Sequence, residues 1–194
     1  MEQVLVVARV DLFGVGGLQG VSDDPAVVAR FLQTVAGCGR FAPRALAEQD
    51  ENLKQIVPYG VVWHRGHVFL FRRGKGGNEA GLRGRWSIGL GGHVNPTDGI
   101  EVGPAMLRQA LLRELAEEVA LEILQSELWA VLNDDDDPAG RRHFGFVYRV
   151  EVASDEARSR EPGKIQGAFV PLEVVWARCG GMETWSRMLI RCLR

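Results

Sequence analysis

Gly91 to Leu121 reads GGHVNPTDGIEVGPAMLRQALLRELAEEVAL, and this stretch decides the fold. Apolar residues recur at Leu107, Leu111, Leu115 and Val119, the spacing of a helix with one face in a core. The spacing predicts a helix over 104–119, opened by Gly103 and by Pro104 in its first turn. At about 100° per residue, Glu114, Glu117 and Glu118 fall within roughly a third of the helix circumference. Carboxylates that close repel one another unless a cation lies between them. Hard oxygen donors of this kind suit Mg²⁺ or Mn²⁺, and Mg²⁺ commonly shares its shell with substrate phosphates. The competing reading of a bare Glu-Glu pair is a solvated acidic face.

The surrounding residues favour the first reading. The stretch resembles the signature of the Nudix hydrolases, matching it at Gly92, Arg113, Glu114, Leu115, Glu117, Glu118 and Leu121. It departs in three places. Asp98 stands where the family has its first Glu, separated from Gly92 by five residues. Fourteen residues rather than the family's seven lie between Asp98 and Arg113, an insertion centred on Gly99 to Gly103. Ala120 replaces the Gly near the helix end. The pattern is that of a divergent bacterial branch with a lengthened Nudix box.

The resemblance implies an α/β fold: a Nudix-like α/β/α sandwich with a mixed β-sheet and a catalytic loop-helix-loop. It implies Glu114, Glu117 and Glu118 as metal ligands, with the backbone carbonyl of Gly92 as a further one, and Mg²⁺ or Mn²⁺ as the cofactor. Arg113 and Glu114 are the candidate catalytic residues. Glu114 either accepts a proton from the attacking water or only ligates metal, and the sequence leaves both open. Asp98 is expected to pin the loop to the helix through Arg113, and Arg113 to reach Glu117 one turn on. The implied reaction is metal-dependent hydrolysis of a diphosphate linkage in a nucleoside diphosphate joined to another moiety. One alternative is a non-catalytic Nudix module that binds a nucleotide as sensor or scaffold. The other is an enzyme like isopentenyl diphosphate isomerase, which needs a catalytic Cys; Cys38, Cys179 and Cys192 all lie outside the box and its flanking strands.

The remaining chain sets the context. With 194 residues there is material for one substantial domain or a domain with an extension. Residues 1–55 read as an N-terminal extension of strand plus helix, and 56–194 as the Nudix domain. A net charge of −2 without a basic block gives no footing for nucleic acid or a membrane surface as partner. No apolar run is long enough to cross a bilayer, and the N-terminus reads as a strand rather than a signal peptide. Three cysteines without CxxC spacing fit a reducing cytoplasm.

In order, Gln3 to Phe13 is expected as a strand whose edge offers a route to a homodimer. The glycines at 14, 16, 17 and 20 fit no phosphate loop. A helix is expected from Pro25, capped by Asp23 or Asp24 and ended by Gly37 and Gly39, then a short one over 43–52. Ile56 to His64 and His67 to Arg73 form a hairpin through Arg65-Gly66. Arg72 and Arg73 are candidate phosphate-binding residues, and Trp86 a candidate base-stacking one, against plain roles as solvated edge and core. Gly74 to Gly84 is expected as a loop. His93 is the lone histidine in the motif and is weighed mainly as a structural residue. Asn133 to Asp137, with its four aspartates, reads as a solvated hairpin loop. Asp155, Glu156 and Glu161 are candidates for an added downstream carboxylate. Strands are expected at Leu128–Leu132, His143–Val152 and Gly167–Val175, and a helix at Met182–Leu193.

Overall fold

The structure is a computed structural model that describes residues 2–14, 17–74, 84–160 and 163–193. The expected loop at Gly74 to Gly84 falls mostly outside the described residues, as do the Arg73 side chain and all of Glu161. In chain order the first elements are β1 (Gln3–Ala8), α1 (Arg9–Phe13), β2 (Gly20–Ser22), α2 (Pro25–Cys38), β3 (Arg40–Pro43) and α3 (Arg44–Ala47). There follow β4 (Leu53–His64), β5 (His67–Arg73), β6 (Trp86–Ser87), β7 (Gly89–Gly91) and α4 (Pro104–Glu118). The last are β8 (Val119–Ala120), β9 (Ile123–Asn133), β10 (His143–Val152), β11 (Arg158–Ser159), β12 (Ile165–Val170), α5 (Leu172–Ala177) and α6 (Thr184–Leu189). This is an α/β fold built on a large mixed sheet.

Two compact units interleave along the chain. The first comprises residues 1–59, 91–113 and 128–148. Here β1 pairs antiparallel with β3, from Gln3↔Pro43 to Val6↔Arg40, and with β4, from Val6↔Gln55 to Ala8↔Leu53. The ladder runs β4-β10-β9-β2. Asp24 caps α2 by accepting from Ala26 N at 2.8 Å, Pro25 opens it, and Val28, Phe31 and Val35 go into the core. The sequence expectation for this helix holds.

The expected strand Gln3–Phe13 is cut short, because the chain turns helical at Arg9. Two long-range contacts override the apolar run. Phe13 packs edge-on against Phe31 and Phe144, and the Arg9 guanidinium pairs with Asp135 through both its terminal nitrogens, at 3.0 and 2.7 Å. The second short helix covers only Arg44–Ala47, not 43–52.

The second unit comprises residues 60–90, 114–127 and 149–194. Its sheet runs β12-β5-β4, with β6 also on β5. The β4–β5 hairpin turns through Arg65 (φ 46°) and Gly66 (φ 81°), both left-handed, as a two-residue type I′ turn requires. Against the expected strand Gly167–Val175, the ladder stops at Val170 and Pro171 starts α5. The last helix is α6, shorter than the expected 182–193. β8 pairs with β11, Ala120 opposite Arg158.

Candidate active site

The helix α4 turns one side to the core: Met106, Leu107, Ala110, Leu111 and Leu115 are buried. That fixes the rotation of the helix, and hence which residues leave the core. Arg113, Glu114 and Glu118 are half-buried and Glu117 is exposed. Among the described residues no three His, Cys, Asp or Glu side chains converge into a preformed metal cage. Mg²⁺ needs no such cage, since it is held by one or two carboxylates together with water and substrate phosphates. A donor set made only of carboxylate oxygens suits that ion, so the three glutamates fit it by chemistry.

Ahead of the helix, the loop is built around Arg113. Its Nε donates to Asp98 Oδ1 at 2.7 Å, and its Nη2 to Asp98 Oδ2 at 2.9 Å and to the His93 carbonyl at 2.8 Å. Asp98 is buried and also accepts from Asn95 N at 2.7 Å. The expected tie between loop and helix is therefore present. At the start of the loop, a Cβ on Gly91 would collide with the Pro58 carbonyl, so the chain passes β4 more closely than a side chain permits. Gly92 and His93 are half-buried. Burial, then the positive neighbours His143, Arg44 and Arg113, push His93 down to about 3, so its ring is neutral at ordinary pH.

The helix does not need the missing glycine at its end. Arg65 is the only non-glycine with a left-handed φ among the described residues, so Ala120 carries no such strain. The chain passes from Glu118 directly into β8, and the Glu118 carbonyl accepts from Arg160 N at 3.0 Å.

Arg72 and Trp86 come together in the second unit. The Arg72 Nε and Nη2 both donate to the Gly84 carbonyl, at 3.0 and 2.8 Å. Its guanidinium lies 5.3 Å from the Trp86 ring, and that of Arg178 lies 5.1 Å from the same ring. The Trp86 carbonyl accepts from Glu183 N at 3.0 Å. Trp86 is thus packed against two cations and tied to the segment before α6. Of the downstream carboxylates, Asp155 is exposed, and exposed Glu156 pairs with Arg158 at 3.1 Å.

The aspartate run is more than a solvated loop. Asp134 is buried, and Asp135 receives Lys54 Nζ at 2.8 Å as well as Arg9. Lys54 is fully buried and also donates to the carbonyls of Gly140 (2.8 Å) and His143 (3.2 Å). Burial lowers Lys54 to about 8, while the Arg9 hydrogen bond holds Asp135 well below the usual carboxylate range. Sequence reading missed this network. Its one signal was a lysine and a glutamine, Lys54 and Gln55, at the head of an otherwise apolar strand.

Comparison with known proteins agrees with this architecture. The NUDIX domain family model matches residues 55–191. Protein YmaB of Bacillus subtilis (strain 168) is 30% identical over 205 residues, covering 99% of this chain and 97% of that protein. The crystal structure of Tm1382, a candidate Nudix hydrolase, superposes with a TM-score of 0.85 at 26% identity, over 99% of this chain and 98% of that one. A bifunctional NMN adenylyltransferase/ADP ribose pyrophosphatase from Francisella tularensis, complexed with AMP and Mn ion, gives a TM-score of 0.52 at 17% identity. That match covers 72% of this chain and 41% of the other, and it shows the fold alone.

Proposed function

This chain belongs to the Nudix family, whose members are hydrolases of phosphoric anhydrides, and we propose that its own reaction splits the diphosphate bond of a nucleoside diphosphate linked to another moiety. What carries the reading is the union, in one short segment, of three glutamates on α4 with an arginine anchored to the loop before it. In this reading Glu114, Glu117 and Glu118 hold Mg²⁺ or Mn²⁺, with the Gly92 carbonyl as a further ligand. When bound, such an ion neutralises the diphosphate and lowers the pKa of a water. Glu114 takes the proton of the attacking water. Arg113 is the positioning residue, holding the loop through Asp98 and the His93 carbonyl. Arg72 and Arg73 are proposed to meet substrate phosphate and Trp86 the base.

Three free cysteines fit a reducing cytoplasm, and among the described residues no helix is long and apolar enough to cross a membrane. Residues 1–55 are read as an extension carried on the Nudix domain of 56–194. Its strand β3, which among the described residues pairs only with β1, offers an edge for a homodimer.

The test is phosphate release from a panel of nucleoside diphosphate derivatives, with and without Mg²⁺, on the wild type and on Glu118→Gln. Metal-dependent hydrolysis that disappears in the variant, with the melting curve retained, is the expected result. Full activity of Glu118→Gln overturns the assignment.

A further inference from the structure

Two parts of this chain lie outside the family pattern: residues 1–54, which precede the stretch that the family model matches, and the insertion centred on Gly99 to Gly103. Both fall in the same compact unit, and there they meet at Gly39, the residue that ends α2. A glycine at a helix end commonly serves a left-handed turn. Gly39 does not, because its φ of −67° is open to any residue. Space is what calls for it. A Cβ there would stand 2.5 Å from the Val35 carbonyl oxygen and 3.1 Å from both Leu5 Cδ1 and Val102 Cγ1. Leu5 from β1 and Val102 from the insertion therefore converge on a helix end that is bare of side chain.

Leu5 holds the same loop a second time, nearer its start. It pairs in register with Phe41 of β3, while its N–H donates to the Val94 carbonyl at 2.9 Å. β4 takes up β1 only from Val6 to Ala8, which leaves Leu5 to the loop. Leu5 and Val94 are both fully buried, so water does not compete for that bond. Between Val94 and Val102 the loop runs outward. Pro96, Thr97, Gly99, Ile100 and Glu101 are exposed, and buried Asp98 is held by Arg113. An exposed segment with few contacts of its own takes its order from the points that grip it. Lengthening a loop raises the cost of ordering it, and the grip at Val102 offsets that cost.

We propose that the N-terminal extension is a positioning element of the candidate active site. Leu5 fixes the lengthened loop at Val94 and, together with Gly39, at Val102. The two grips set the Gly92 carbonyl, two residues before Val94, and the Asp98–Arg113 tie between them. This rests on the metal-dependent hydrolysis reading above and gives a part in it to residues which that reading leaves idle.

The test uses three variants of the whole chain. Val102→Ala removes the seated side chain, Val102→Thr keeps its shape, and Gly39→Ala fills the seat. Hydrogen exchange is followed over residues 92–103, Mn²⁺ affinity is measured with the metal alone, and kcat and KM are taken on the compound that the panel identifies. Val102→Ala and Gly39→Ala are expected to exchange the loop amides about tenfold faster. They are expected to weaken Mn²⁺ binding and lower kcat by about tenfold each, with KM within about twofold. Val102→Thr is expected to stay within about twofold of the wild type on every readout. Val102→Ala alters a half-buried side chain, so it remains folded and decisive even where Gly39→Ala does not fold. Wild-type exchange of the loop in Val102→Ala overturns the proposal. So does faster exchange with kcat and Mn²⁺ affinity unchanged, which marks the contact as structural only. A wild type that turns over nothing in the panel sinks the hydrolysis reading, and loop exchange with Mn²⁺ affinity then decides this one.

Discussion

Arg113 and Asp98 are joined by two hydrogen bonds, Nε to Oδ1 at 2.7 Å and Nη2 to Oδ2 at 2.9 Å, across fifteen positions of sequence. The pair bridges the lengthened loop and fixes its far end to the helix that carries the glutamates. Asp98 is buried and Arg113 half-buried, so the pair is shielded from much of the solvent screening that weakens exposed ones.

Removing the carboxylate takes two hydrogen bonds from the guanidinium and one from Asn95 N. Asp98→Ala is expected to lower stability by about 2–4 kcal/mol, read as a denaturant midpoint. Asp98→Glu should recover part of the loss in kcat if the pair acts by positioning. Wild-type kcat in Asp98→Ala would show that the loop holds its shape without the tie.

The network of Lys54, Arg9 and Asp135 predicts an asymmetry. Asp135→Asn leaves a fully buried ammonium without its counter-charge, and Lys54→Met leaves Asp135 with Arg9. After discounting for the partly exposed carboxylate, the first is expected to cost about 2–3 kcal/mol and the second about 1–2. The pH dependence follows from the direction of the Asp135 shift. Its folded value is depressed, so its contribution is present above the ordinary carboxylate pKa and is lost as the pH falls below it. Urea midpoints between about pH 6 and 3 should fall more steeply for the wild type than for Asp135→Asn. Parallel curves would remove the carboxylate from the account.

Ala120 tests the departure at the helix end. Because it sits in an extended strand opposite Arg158, restoring the family's glycine relieves nothing. Ala120→Gly is expected to lose about 0.5–1 kcal/mol through backbone entropy. A gain would mean that the native backbone there is left-handed.

Much of the site could be read along the chain, because helical spacing is local. The repeat Leu107, Leu111, Leu115 set the buried side of α4, and with it the side that bears Glu114 and Glu118. The Asp98–Arg113 tie was legible for a similar reason: the family pattern places an acid and an arginine at the two ends of one loop. The turn at Arg65-Gly66 and the cap of α2 by Asp24 are equally local, since each depends on a few adjacent residues.

What only the tertiary structure decided are the partnerships made between distant segments. No local pattern ends β1 at Ala8; the ends of the Arg9 and Phe13 side chains find Asp135, Phe31 and Phe144 far along the sequence, and those contacts outweigh strand propensity. The four aspartates read as solvated because charge alone suggests water, but Lys54, eighty-one positions away, draws Asp135 inward. Gln55 lies just ahead of the strand expected from Ile56, and the structure takes it into β4. Its full burial exists only once β1 and β4 pair, because desolvation belongs to the assembled sheet and not to the residue.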